Sequence, residues 1–140
     1  MLKIAVVDGQ GGGIGSLIVK RLRDEFGDAL EIFALGTNAT ATSAMMKSRS
    51  NKGATGENAI VWNVNRANII IGPLSIVLPN AMFGELTPKM AEAIASADAK
   101  KILLPLNQEG IDVLGVEKEP LPHMLEKIIE TVRQEMGKEK

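Results

Sequence analysis

The stretch Asp8-Gly9-Gln10-Gly11-Gly12-Gly13-Ile14-Gly15 joins the first apolar run of the chain to its first amphipathic one. Ahead of it, Ile4-Ala5-Val6-Val7 is short, continuous and rich in β-branched residues, as a parallel strand covered on both faces requires. Behind it, Ile14, Leu17, Ile18, Leu22 and Phe26 recur at helical spacing, with Lys20, Arg21, Arg23, Asp24 and Glu25 largely on other faces. The stretch therefore reads as strand, glycine turn and helix start. Each of its five glycines costs roughly 0.5–1 kcal/mol relative to Ala in chain entropy. Against a usual domain stability of about 5–15 kcal/mol, such a turn implies close backbone approach, either of helix onto strand or of a ligand onto the backbone.

The same alternation continues downstream. Glu31-Ile32-Phe33-Ala34-Leu35-Gly36 reads as a second strand and residues 39–47 as a helix capped by Thr37 or Asn38. Residues 53–58 read as a loop feeding a short helix over 57–64, with Thr55 or Gly56 as its cap. Asn68-Ile69-Ile70-Ile71-Gly72 is the most apolar strand and the candidate sheet centre. Thr87-Pro88 opens a helix to about residue 97, with Ala91, Ile94 and Ala95 facing the sheet. Lys101-Ile102-Leu103-Leu104-Pro105 reads as a fourth strand and residues 111–116 as a fifth. The few residues between them cannot make a parallel crossover, so the fifth is expected antiparallel at an edge. The last helix opens at Pro120 or Pro122 and carries Leu121, Leu125, Ile128, Ile129, Val132 and Met136 on one face, with residues 137–140 fraying. These elements predict a single α/β domain over residues 1–140, a three-layer, doubly wound Rossmann-like sheet, mainly parallel. Of the two familiar orders, 2-1-3-4-5 is favoured over 3-2-1-4-5 because the second strand opens on Glu31.

Composition removes several function classes. With 16 Lys and Arg against 17 Asp and Glu, one Trp, three Phe and no Tyr, there is neither a basic footprint nor an aromatic platform for nucleic acid. The absence of Cys excludes disulfides, thiolate metal sites and a Cys nucleophile. With one His as well, no zinc site is expected. The four apolar residues before Asp8 are too few for a signal peptide's core, and residues 69–83 are broken by Gly72, Pro73, Pro79 and Asn80, so a soluble, cytoplasmic protein without membrane contact is expected.

The glycine turn fails the six-residue dinucleotide fingerprint, which would need Gly at Ile14 or Ser16. It also fails a Walker A loop, which would need Gly at Gln10 and Lys at Ser16. Gly9-x-x-x-Gly13-Ile14-Gly15 instead resembles the Gly-x-x-x-Gly-Ile-Gly turn of short-chain dehydrogenases. That resemblance implies a cofactor pyrophosphate against Gly9, Gly13, Ile14 and Gly15. It stops there, because without Tyr the family's Tyr-x-x-x-Lys pair cannot exist. Asp8 also stands where that family usually has Thr. A carboxylate about 6 Å from a phosphate, at an effective dielectric near 20, is repelled by roughly 3 kcal/mol. Either Mg²⁺ bridges the two through Asp8, or the ligand presents donors to it. A ribose-binding acid is wanted about 20 residues after the turn, and Gly36-Thr37-Asn38 stands there instead.

End to end, the chain resembles a small family of Rossmann-like bacterial proteins known as a domain of unknown function. The resemblance rests on the glycine turn, Leu35-Gly36-Thr37-Asn38-Ala39, Ala41-Thr42-Ser43-Ala44, Gly53-Ala54-Thr55-Gly56-Glu57-Asn58-Ala59, and Pro79-Asn80 followed by Gly84-Glu85. It implies the fold and carries no activity.

Ligands of open α/β sheets sit outside the carboxyl ends of the strands. Those ends gather the candidate residues: Gly9, Gln10, Gly11, Gly12, Gly13, Ile14, Gly15, Thr37 and Asn38 for a nucleotide, a dinucleotide or another phosphate-bearing metabolite, and Glu57, Asn58 and Asn80 for substrate. Asn107 follows the fourth strand. Glu85, then Asp8, are the candidate acid or base, on the premise that burial raises a carboxylate toward neutrality. His123 falls off the apolar face of the last helix and reads as surface; Trp62, Met45 and Met46 read as core. Residues 69–83 are more apolar than one strand requires, which suits a pocket or a subunit interface, and a homo-oligomer is expected. The alternatives are a noncatalytic oligomeric or regulatory module whose glycines serve packing, and an enzyme acting through Glu85 or Asp8 on a small phosphorylated substrate.

Overall fold

A computed structural model describes residues 1–106 and 110–139. Five strands form one sheet: β1 (Leu2–Asp8), β2 (Leu30–Gly36), β3 (Lys52–Thr55), β4 (Ile69–Pro73) and β5 (Lys100–Leu104). The helices are α1 (Gly13–Phe26), α2 (Ala39–Lys47), α3 (Glu57–Asn63), α4 (Pro88–Ser96) and α5 (Leu121–Lys138). All pairings are parallel, in the order β3-β2-β1-β4-β5.

Alternation along the strands builds two apolar layers. Ile4, Val6, Ile32, Ala34, Ile69 and Ile71 face α1, α2 and α5 through Ile18, Leu22, Met45, Ile128, Ile129 and Val132. Ala5, Val7, Phe33, Leu35 and Ile70 face the other way, against Ile60 of α3 and Met90, Ala91 and Ile94 of α4. With helices on both faces, β1 and β4 need apolar residues on both sides, which is why they read as continuous runs.

Three expectations about the sheet are corrected. The order is 3-2-1-4-5 rather than 2-1-3-4-5, because Lys52–Thr55 adds a strand beside β2. Its sequence, Lys-Gly-Ala-Thr, carries no apolar pattern since it lies largely exposed at an edge, held by the backbone ladder. Among the described residues no antiparallel edge strand forms. Left-handed turns at residues 110 and 115 leave four residues between them, and only Ile111 forms a bridge. The sheet centre is β1, with β4 beside it.

The helix signals act locally as their chemistry requires. The Asn38 side chain accepts from the Ala41 N–H to cap α2, and Thr87 Oγ1 accepts from the Met90 N–H to cap α4. α4 buries Met90, Ala91 and Ile94 while Ala95 faces outward, and α5 runs through Gly137 to Lys138 rather than fraying there. Trp62 is 58% exposed, with the Arg66 guanidinium 3.5 Å from its ring centroid, and Met46 is exposed while Met45 is core. Arg23 is the reverse case. It is buried, donating to the carbonyls of Gly27, Leu30 and Arg49 and to Asn51 Oδ1. None of the helices among the described residues is long and apolar enough to cross a membrane.

Candidate functional site

β1 ends at Asp8, whose carboxylate is only 5% exposed. The Gly9 N–H donates to its Oδ1 (2.8 Å) and the Gly15 N–H to its Oδ2 (2.7 Å), so the side chain folds back under the turn and ties strand to helix. Burial pushes its pKa up. The Gly15 and Gly9 bonds pull the other way, and the charge of Glu85 adds to the rise. Both oxygens are thus engaged from inside the turn, and nothing in this arrangement supports the expected Mg²⁺ bridge through Asp8.

The five glycines divide into two groups. A methyl group on Gly9 would lie 2.5 Å from both Met82 Sδ and Thr37 Oγ1. On Gly12, which has φ +72°, it would lie 2.8 Å from Ala41 Cα, and on Gly15 2.6 Å from Met45 Sδ. These three serve packing. Gly11 and Gly13 meet nothing within 4 Å. Among the described residues no acceptor meets the N–H groups of Gly11, Gly13 and Ile14, which lie along the turn and the first turn of α1. Unpaired donors at a helix N-terminus favour an anion.

The loop after β4 closes the other side. Glu85 Oε1 accepts from the Gln10 N–H (2.9 Å), Thr37 Oγ1 (2.6 Å) and Asn38 Nδ2 (2.8 Å). Asn38 Nδ2 also donates to the Gln10 carbonyl (3.0 Å). The loops after β1, β2 and β4 are thus knotted together by one carboxylate oxygen. The Thr37 hydroxyl, the Gln10 N–H and the Asn38 amide hold Glu85 below the usual carboxylate range, against a smaller opposing effect of burial. Glu85 is therefore ionised well below neutrality, contrary to the premise on which a base was sought there. The path of this loop is strained: Asn80, Met82 and Phe83 have φ of 66°, 58° and 58°, each costing roughly 1–2 kcal/mol.

The structure thus brings Asp8, Gly9, Gln10, Thr37, Asn38 and Glu85 into one bonded cluster, while three other candidates sit apart from it. Glu57 Oε2 accepts from Thr87 Oγ1 (2.6 Å), linking α3 to the cap of α4. Asn58 is exposed. Asn80 works through its backbone, its N–H donating to the Leu86 carbonyl and its own carbonyl accepting from Gly84. Asn107 lies outside the described residues, and His123 is exposed. Met82 covering Gly9 has no signal in the sequence, since Met is a generic apolar filler. Grooves of about 660 and 630 Å³ lie elsewhere, between β5, Leu74, Met124 and the exposed segment bearing Val113 and Val116.

Five parallel strands in the order 3-2-1-4-5, reversing direction between β1 and β4 beside a glycine turn, define a Rossmann-like α/β protein. Within that class, the chain belongs to the family described as a domain of unknown function, DUF3842, whose model matches residues 3–137. Among solved structures it is similar to the dodecameric FMN-dependent UbiX-like decarboxylase from Escherichia coli O157:H7. The two share 12% identity at a TM-score of 0.51, over 98% of this chain and 94% of that one. No curated protein matches the sequence.

Proposed function

We propose that this protein binds a nucleotide, or another small molecule bearing a phosphate, on the open side of the glycine turn. The observation that carries the reading is the division of the glycines. Gly11 and Gly13 have no packing partner to explain them, and their own N–H groups, with that of Ile14, meet no acceptor among the described residues. The turn lies at the carboxyl end of the central strand, next to the reversal in strand order, where open α/β sheets hold their ligands. The structurally similar decarboxylase is FMN-dependent, which is compatible with a phosphate-bearing cofactor here. Gly11, Gly13 and Ile14 would meet the phosphate through their N–H groups, with Gly9, Gly12 and Gly15 shaping the turn. Asp8 holds the turn and Glu85 faces the ligand, so neither is assigned an acid or base step.

The test is thermal unfolding of the purified protein with NAD, NADP, FMN, ATP, AMP and sugar phosphates. A ligand at a hundred times its Kd adds about 2.7 kcal/mol, which raises Tm measurably. The shift should vanish in Gly13→Val, whose side chain enters open space and blocks the donors without overpacking the core. Absence of any shift counts against the reading, and a shift that survives Gly13→Val refutes the location.

A second reading, a noncatalytic homo-oligomeric module, is favoured by Ile111, Val113, Leu114 and Val116, all exposed on one segment. The structurally similar decarboxylase is a dodecamer. This reading predicts concentration-dependent assembly weakened by Leu114→Asp.

A further inference from the structure

Dinucleotide-binding sheets of this order place an acid at the end of the second strand to bond the ribose hydroxyls. At that place β2 ends in Gly36 and is followed by Thr37 and Asn38, neither of them acidic. The carboxylate is nevertheless present, because Glu85 reaches over from the loop after β4 and is fixed there by Thr37 and Asn38 themselves. We propose that Glu85 is the specificity-determining residue of the glycine-turn site, selecting a ligand whose phosphate is carried on a sugar with a free vicinal diol, as in a ribonucleotide. The proposal rests on the reading that a phosphate-bearing molecule binds the turn.

Three features of the carboxylate carry it. All three protein donors converge on Oε1, and Oε2 has no partner among the described residues. The group is held ionised, so Oε2 can only accept, which matches a hydroxyl and repels a second phosphate. Finally, the donor that fixes Glu85 on the turn is the N–H of Gln10, and the next residue, Gly11, carries the first unpaired N–H. The carboxylate is thus bonded to the peptide unit next to the first anion donor, the Cα atoms of the two lying about 3.8 Å apart, and one phosphorylated sugar could span the two. A phosphate at the Thr37 end would have to displace a charge held by three hydrogen bonds. A sugar hydroxyl there adds a bond without breaking any. Met82 over Gly9 packs the loop, and so the carboxylate, in this position.

The experiment compares AMP, 2′,3′-dideoxy-AMP and FMN by calorimetric titration of the wild-type protein and of Glu85→Gln. Hydrogen bonds to a charged group are worth enough for AMP to bind about tenfold or more tightly than the dideoxy analogue. In Glu85→Gln this ratio should fall toward one, mainly through weaker AMP binding. Equal wild-type affinity for AMP and its dideoxy analogue overturns the proposal and leaves phosphate binding at the turn intact. Binding of FMN, whose ribityl phosphate carries vicinal hydroxyls of its own, is compatible with the proposal, whereas binding of the dideoxy analogue alone overturns it. If none of the three binds, the reading beneath the proposal fails and the proposal falls with it. Because the discriminating ligands are tested on the unaltered protein, the outcome does not depend on how Glu85→Gln folds.

Discussion

Replacing Asp8 by Asn tests whether the buried carboxylate is a structural tie. The amide oxygen can accept from only one of the two N–H groups that Asp8 now satisfies, at 2.8 and 2.7 Å, and the amide nitrogen faces the other donor with donors of its own. A buried donor left without an acceptor costs about 1–3 kcal/mol, against which stands the cost of burying the Asp8 charge, which the amide lacks. The sign of the pH dependence follows from burial. Because the folded-state pKa of Asp8 is raised above 3.8, its contribution to stability is fully present below that value and is lost as pH rises through the folded pKa. The asparagine variant lacks this dependence, so the stability gap should be widest in acid and narrow toward neutrality. Glu85, whose pKa is lowered, contributes the opposite slope, with stability present above 4.5 and lost as pH falls. It is common to both proteins and largely drops out of the difference. Urea unfolding followed by far-ultraviolet circular dichroism from about pH 4.5 to about pH 8 would measure the gap. Dichroism suits this better than fluorescence, since the one Trp, Trp62, is already exposed. A variant as stable as the parent in acid, or a gap that widens with pH, would refute the reasoning.

Two further outcomes follow from the same contacts. Gly12→Ala combines φ +72° with a Cβ 2.8 Å from the Ala41 backbone and should lose about 2–4 kcal/mol, whereas Gly11→Ala meets nothing and should be neutral or slightly stabilising; matched Tm values for the two would contradict the division of the turn. Arg23→Ala removes the donor to three backbone carbonyls at the other end of the sheet, and to Asn51 Oδ1, which keeps the Ile32 N–H, and should cost about 3 kcal/mol, read from denaturant midpoints.

Much of this was legible because burial and capping leave marks on sequence. The bounds of α2 and the Thr87 cap follow from side chains that accept N–H groups locally, and the inner strands from runs that must be apolar on both faces. β3 left no such mark, since an exposed edge strand is held by backbone bonds that any residue supplies. Residues 111–116 carry the opposite error: their apolar alternation is real, but it lies in solvent rather than in a ladder. Trp62 misleads in the same way, as its ring is covered by Arg66 on the outer face of a short helix. At the site, the glycine turn, Thr37, Asn38 and Glu85 could be gathered on one edge by the rule for parallel sheets. That Glu85 would bond Thr37 could not be foreseen. It depends on a loop routed through three left-handed non-glycine residues, a path without a compositional signature.

The carboxylate of Glu85 also bears on how the chain acquires a working site. Its partners lie 75, 48 and 47 residues away along the chain, so bringing them together closes long loops, and such contacts come late and slowly. A nascent chain that has completed β1, α1 and β2 already possesses the glycine turn but lacks the residue that caps it. Under the proposed function, binding competence arrives only after β4 has docked beside β1. A ligand on this edge would then act as a reporter of complete folding, stabilising finished molecules and leaving partly built ones untouched.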